Sequence, residues 1–137
     1  MKINILLALC LATFTLTNCS KDNKTLIVGK WTANSYTETQ YKNNLVEKIE
    51  VKYFSKSNTL EFKEQVSAQG TVIVTDDSDI ETGDYLVMDT VVSIWTPKSG
   101  KKDFVIKSIS STELSLLNKK VGSTNEYKEY LTKYTKL

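Results

Sequence analysis

The stretch Leu26-Ile27-Val28-Gly29-Lys30-Trp31 decides the fold, because it stands between an apolar amino-terminal segment and the first of several β-strand patterns. Its three aliphatic residues are too few for a helix and suit a buried turn that closes one end of a barrel. Gly29 has no Cβ and lets the backbone turn sharply or approach a neighbouring strand. Trp31 then predicts a large apolar plug at the closed end.

Small and polar residues follow this tryptophan. The two-residue period of a strand puts Trp31, Ala33 and Ser35 on one face. That face is bulky at one end and roomy further along, as a tapered pocket requires. An ordinary strand with one core tryptophan is the alternative interpretation.

Residues 1–18 have the pattern of a secretion signal. Lys2 supplies the positive start, and Ile3 to Leu16 form an uncharged, mostly apolar run. Its length fits the apolar centre of a signal peptide, about 7–15 residues. It falls short of the roughly 18 apolar residues that read as a transmembrane helix.

The signal ends in Leu16-Thr17-Asn18-Cys19, which resembles a bacterial lipobox. The resemblance implies a lipid on Cys19, a polar tether over residues 19–25 and a folded domain over residues 26–137. Two or more acyl chains anchor a protein firmly. Cys10 would leave with the signal, so we expect no disulfide within the mature chain. The alternative is a secreted protein cut nearby that keeps a free thiol.

Short strands with turn signals between them fill the rest of the chain. The clearest has Ile49, Val51 and Tyr53 on one face and charged residues between them, which predicts a half-buried antiparallel strand. Similar patterns predict further strands near residues 30–39, 60–63, 66–74, 85–88, 90–95, 103–107, 114–116 and 126–135.

This rhythm predicts an all-β fold, an antiparallel up-and-down β-barrel of about eight to ten strands. Closure removes the two exposed edges that an open meander would leave. An open sandwich of the immunoglobulin type is the alternative.

Three phrases resemble the lipocalin-like domains of lipoproteins from Bacteroidetes-type bacteria. They are Gly29-Lys30-Trp31, Gly83-Asp84-Tyr85 and the segment from Ile109 to Leu116. The resemblance implies Gly29, Trp31, Gly83 and Tyr85 as motif residues. It also implies an outer-membrane lipoprotein whose barrel binds a small apolar or amphipathic ligand.

Aromatic residues from separate strands are the candidates for the pocket, together with Ala33 and Ser35. They are Trp31, Tyr53, Phe62, Tyr85, Trp95 and Phe104. Plain core packing is the alternative for each of them. Tyr127, Tyr130 and Tyr134 are expected to join the pocket or to form an outer patch.

Catalysis finds little support in the sequence. The chain has no histidine, which removes the commonest general base and metal ligand. We expect no catalytic residue and no cofactor; an enzyme that works with carboxylates alone is the remaining catalytic hypothesis. A formal charge of +2 with interleaved signs argues against a nucleic-acid partner.

An acidic segment runs from Asp76 to Asp84. Asp77, Asp79 and Glu81 alternate within it and are weak candidates for calcium ligands, although their spacing departs from an EF-hand loop. A solvated loop is the favoured interpretation.

Two functions therefore follow from the sequence. The favoured one is a membrane-anchored carrier of a small ligand in the cell envelope. The alternative is an interaction module with a filled barrel, working as an accessory subunit of an envelope complex.

Overall fold

The computed structural model describes residues 22–54 and 57–137. The predicted signal peptide and Cys19 lie outside these residues. Within them one short helix precedes nine strands: α1 (Asn23–Leu26), β1 (Gly29–Lys42), β2 (Leu45–Tyr53), β3 (Thr59–Val66), β4 (Gln69–Asp76), β5 (Asp79–Met88), β6 (Val91–Thr96), β7 (Gly100–Ile109), β8 (Glu113–Val121) and β9 (Glu126–Lys136). No helix in this part of the chain has the length and apolarity needed to cross a bilayer.

All strand pairs are antiparallel, and eight of the strands form a closed barrel with β2 as an extra strand. The prediction of an antiparallel up-and-down barrel is therefore confirmed. The length of β1 explains the closure. One edge of β1 pairs with β3 over Gly29–Thr32 and with β2 over Ser35–Lys42, while its other edge pairs with β9.

Hairpin turns alternate between the two ends of the barrel. One end holds α1 and the turns at Ser67–Ala68 and Asp89–Thr90, and Asn23 Nδ2 donates to the Asp89 carbonyl at 3.1 Å. The Asp22 side chain caps α1 by accepting from the Lys24 amide. The helix thus begins inside the segment expected to be a tether.

The core occupies the barrel next to this helix. Its buried apolar side chains come from α1's end and most barrel strands, and the largest wholly buried ones are Trp31, Tyr85, Phe62, Ile27, Leu114 and Leu116. The barrel end at α1 is therefore closed and densely filled.

Two sequence expectations are wrong at the level of elements. The acidic segment is not a loop, because β4 continues to Asp76, only Asp77 and Ser78 turn, and β5 begins at Asp79. The alternating face of β2 is not half-buried: Ile49, Val51 and Tyr53 are 61%, 52% and 83% exposed. The reason is that β2 pairs with the far half of β1, beyond the segment that faces the core.

Candidate ligand-binding site

Contacts between the residues at the end of α1 and the first residues of β1 seal the closed end. Trp31 is completely buried, and its Nε1 donates to the Ile27 carbonyl at 2.7 Å. Lys136 covers the indole, with Nζ 4.9 Å from the ring centroid and 3.3 Å from the Leu26 carbonyl oxygen. The predicted tryptophan plug and the burial of Ile27 are confirmed, whereas Leu26 ends α1 and, like Val28, is only partly buried.

Glycines at two motif positions allow backbone approaches that no side chain would permit. Gly29 has a φ of 127°, a region that only glycine adopts readily. A Cβ on Gly83 would overlap the Trp95 carbonyl oxygen. Both glycines therefore serve barrel closure and strand contact rather than ligand contact.

Above the plug, Phe62 and Tyr85 pack edge to face with ring centroids 5.0 Å apart. Both are 1% exposed. The Tyr85 hydroxyl is buried without a hydrogen-bond partner in the described residues, and burial raises its pKa. This pair belongs to the core that fills the lower barrel.

The opposite end of the barrel holds two adjoining hollows of about 160 Å³ each. They share Leu60, Val74 and Tyr134 as a common wall. Ile94, Thr96 and Phe104 line the first, and Ala33 and Phe54 line the second. The lining is mostly apolar and continuous with the core, as small-molecule sites are.

Tyr134 is the polar group at the centre of this wall. Burial raises the pKa of its hydroxyl to about 12, while a hydrogen bond with Thr132 acts in the opposite direction. The phenol therefore stays neutral at physiological pH. It can offer a hydrogen bond to a ligand without bringing charge into the apolar hollow.

A β-bulge in β1 turns a second set of side chains toward the interior. The register shifts between Ala33 and Ser35, so that Ser35 pairs with Lys133 and Tyr36 pairs with Thr132. Thr132 in turn pairs with Leu116, which is buried in the core. Cross-strand partners share a face, so Tyr36 points inward and Ser35 outward.

An aromatic group extends from the second hollow along this inner face. The Tyr36 ring centroid lies 5.2 Å from that of Phe54 and 6.2 Å from that of Tyr130. The Lys52 ammonium lies 5.7 Å from the Tyr36 centroid. This wall carries both apolar surface and positive charge.

Glu38 lies next along the inner face and is 7% exposed. Its carboxylate accepts hydrogen bonds from Lys128 Nζ at 2.7 Å and Gln40 Nε2 at 2.8 Å. These bonds, that of Lys128 first, lower the pKa of Glu38, and the carboxylate raises the pKa of Lys128. The inner face beyond the hollows is therefore a polar wall built around the Glu38–Lys128 ion pair.

The structure separates the predicted pocket residues into three groups. Ala33 and Phe104 line the hollows, whereas Trp31, Phe62 and Tyr85 fill the core below. Placement of the remaining three inside the barrel was wrong: Ser35, Tyr53 and Trp95.

Each of the three has its own reason. The bulge turns Ser35 outward, and Tyr53 lies on β2 outside the barrel. Trp95 is 37% exposed, because its neighbours Ile94 and Thr96 take the inward positions. Its ring lies 5.5 Å from Lys101 Nζ on the outer surface.

Several lining residues were not predicted as site residues: Leu60, Val74, Ile94, Thr96 and Phe54. Leu60 and Phe62 alternate with the charged Glu61 and Lys63 in the sequence, which predicts that Leu60 points inward but gives no signal that it lines a hollow. Tyr134 was an open choice between pocket and outer patch, and its pairing with Ala33 and Leu114 places it inward. The stacked pair Tyr41–Tyr127 instead lies near the far end of β1.

The calcium candidates do not form a metal site. No group of three metal-ligating acidic residues occurs among residues 22–54 and 57–137. Asp79 instead pairs with Lys98 Nζ at 2.5 Å, and Glu81 accepts from the Lys98 amide at 3.2 Å. These contacts join the β4–β5 and β6–β7 turns.

No protein-family model matches the chain, and neither does any curated protein. Two solved structures resemble it, apocrustacyanin C1 and lobster apocrustacyanin A1, each with a TM-score of 0.58 at 13% identity. Each match covers 82% of this chain and 62% of the other, so this chain spans less than two thirds of their length. At this identity the likeness concerns the fold alone. The chain therefore has a lipocalin-type barrel fold with one additional strand.

Proposed function

We propose that this protein binds a small apolar or amphipathic ligand at the open end of its barrel. The observation that carries the proposal is the pair of adjoining hollows around Leu60, Val74 and Tyr134. An apolar cavity of about 150 Å³ holds a benzene-sized molecule. The two hollows together suit one or two rings, or a short alkyl chain.

The polar wall selects for an amphipathic ligand over a purely apolar one. An apolar part would lie between Ile94 and Phe104, while a polar part would meet the Tyr134 hydroxyl and the Tyr36–Lys52 group. The proposed role is binding without catalysis, supported by a chain without histidine.

Fluorescence of N-phenyl-1-naphthylamine tests the proposal. We expect its emission to rise on addition of the protein, and we expect Val74→Trp, which fills the shared wall, to weaken probe binding at least tenfold. Val105→Trp is the matched control, because Val105 is 40% exposed on the outer face. Equal binding by both variants would reject the site. Val74→Phe serves if the larger change prevents folding.

We further propose that the protein is a lipoprotein of the cell envelope, anchored in the outer membrane through Cys19. The support is the sequence Leu16-Thr17-Asn18-Cys19 after an apolar signal. The helix that follows at Asn23 leaves only a few residues between the anchor and the closed end of the barrel. The anchor would therefore hold the closed end toward the membrane and the hollows away from it.

An interaction module is the second candidate, favoured by a different observation. Five exposed apolar side chains lie together on β2: Leu45, Val46, Ile49, Val51 and Tyr53. Native mass spectrometry of the protein extracted from its host distinguishes the two roles. A defined small mass that remains bound supports the carrier, and a co-purifying protein with an empty barrel supports the module.

A further inference from the structure

We propose that β2 is the contact strand of a symmetric homodimer, in which it pairs antiparallel with β2 of a second copy about a two-fold axis at Val51. The two barrels would then share one continuous sheet. This goes beyond ligand binding and concerns the second edge of β2, although Lys52 on this strand also contacts Tyr36 in the polar wall.

The first step is that β2 has one edge available. Across residues 22–54 and 57–137, β1 is the one strand that pairs with β2. The Phe54 amide donates to the Asn34 carbonyl at 3.0 Å, which shows the direction of the backbone groups at that residue. These directions alternate along an antiparallel strand. The backbone N–H and C=O groups of Lys52 and Glu50, two and four residues before Phe54, therefore also point to β1.

The backbone groups of Ile49, Val51 and Tyr53 therefore point away from β1. A row of such groups on an exposed edge is a template for another strand. The pairing of β2 with β1 is regular from Lys48 to Tyr53. The register shift lies beyond it, between Gln40 and Tyr41, which pair with Lys48 and Val46. The strand around Val51 is thus straight enough to accept a partner.

The second step is charge complementarity. An axis at Val51 places Glu50 opposite Lys52 of the second copy, and Lys52 opposite Glu50, so that two pairs of opposite charge face each other across the new contact. An axis at Glu50 would instead oppose the two glutamates and would set Lys48 against Lys52. Like charges directly opposite are destabilising, so the charge pattern selects the axis at Val51 over its neighbour.

An axis at Ile49 would also oppose unlike charges, Lys48 and Glu50. That pairing would run through the irregular stretch between Val46 and Lys48, where the regular hydrogen-bond ladder is broken. The Val51 axis avoids this stretch.

The third step is apolar burial. On one face the Val51 axis brings the two Val51 side chains together and sets Ile49 against Tyr53 of the second copy. All three side chains are more than half exposed in the single chain. Dimerisation removes part of this apolar surface from water, which favours association. It also explains why β2 has an alternating apolar face although this face does not pack on the core.

Sedimentation velocity of the full chain, in a density-matched detergent, tests the proposal. We expect a concentration-dependent dimer. Glu50→Lys and Lys52→Glu should each weaken it at least tenfold, and the double variant that exchanges the two charges should restore it. Monomer at every concentration, or single variants that dimerise like the wild type, would overturn the proposal.

Amide hydrogen exchange provides a second readout that does not depend on substitutions. The amides of Ile49, Val51 and Tyr53 should become protected as protein concentration rises, whereas those of Glu50 and Lys52 should be protected at all concentrations. Val51→Pro removes an amide that points to the second copy and keeps the ladder to β1, so it should give a folded monomer. Protection at Val51 that does not change with concentration would refute the pairing.

Discussion

The Trp31 indole donates a hydrogen bond of 2.7 Å to the Ile27 carbonyl oxygen, inside the closed end of the barrel. Both residues are completely buried. The bond links α1's end to the start of β1, and no water reaches either atom. It joins the two parts of the stretch from which the fold was predicted.

Replacement of Trp31 by phenylalanine should therefore destabilise the protein by about 2–4 kcal/mol. The change leaves the Ile27 carbonyl unpaired in the core, which costs about 1–3 kcal/mol, and it removes ring volume. Urea unfolding followed by circular dichroism measures the effect. Trp95→Phe is the control and should cost less than about 1 kcal/mol, because Trp95 lies on the outer surface. Equal costs would contradict the plug.

A change of Gly83 to alanine should cost about 2–3 kcal/mol, because its Cβ would overlap the Trp95 carbonyl oxygen and push β5 away from β6. Thr82→Ala, at the exposed neighbouring position, should change stability little. The same urea experiment compares the two. A Gly83→Ala variant as stable as the wild type would show that β5 and β6 can move apart without loss of stability.

Acid should lower the stability of the folded protein by protonating Glu38 in the polar wall. Its folded pKa is lowered from 4.5, chiefly by the Lys128 hydrogen bond. The carboxylate therefore contributes stability above pH 4.5, and this contribution is lost as pH falls through the lowered folded pKa. The stability advantage of the wild type over Glu38→Gln should shrink from pH 6 to pH 2, measured by urea unfolding at each pH.

Lys128→Met provides the matched test, because it removes the main cause of the pKa shift. The double variant should behave like either single variant in its acid dependence. An advantage over Glu38→Gln that stays constant down to pH 2 would exclude the link between the two residues.

Alkali should lower the stability of the folded protein through Tyr134, which lines both hollows. Its pKa rises from 10.0 in the unfolded chain to about 12 when folded, because the phenol is buried. Its contribution is complete below pH 10 and is lost as pH rises from 10.0 to about 12, since only the unfolded state ionises in that range. Tyr134→Phe should make the loss of stability with pH shallower.

The measurement is the urea midpoint at several pH values from 9 to 12, with absorbance at 295 nm to follow phenolate formation. Tyr53→Phe is the control for the loss of a phenol at an exposed position and should leave the urea midpoint at pH 9 as in the wild type. Parallel curves for Tyr134→Phe and the wild type would disprove a buried phenol.

Cys19→Ser should abolish lipidation. The wild type is expected in the membrane fraction at the mass of the processed chain plus lipid, and the variant as unmodified precursor. Fractionation with intact-mass spectrometry compares them, and Cys10→Ser is the control that should behave like the wild type. A soluble, unlipidated wild type would favour the secreted form instead.

Sequence periodicity was sufficient to predict the barrel, but it did not show for every strand which side chains point inward. In Val91-Val92-Ser93-Ile94-Trp95 both alternating sets contain apolar residues, so the pattern alone does not say which set points inward. The pairing of Val92 with Val87 and of Ile94 with Tyr85 decides it, because these partners belong to the core. Trp95 consequently lies outside.

The bulge after Ala33 shows a second kind of limit. One extra residue reverses every later side chain on a strand, so Ser35 and Tyr36 exchange faces relative to the simple alternation. A bulge depends on how two distant segments pair, here β1 and β9, and leaves no clear mark in the local sequence.

The sequence by itself determined the all-β class, the antiparallel order of strands, the burial of Ile27 and the position of Trp31, because these follow from local periodicity and from residue size. Only the tertiary structure decided which face of each strand encloses the hollows and that β2 lies outside the barrel. Those choices depend on register between segments far apart in the chain, and a shift of one residue changes which side chains meet.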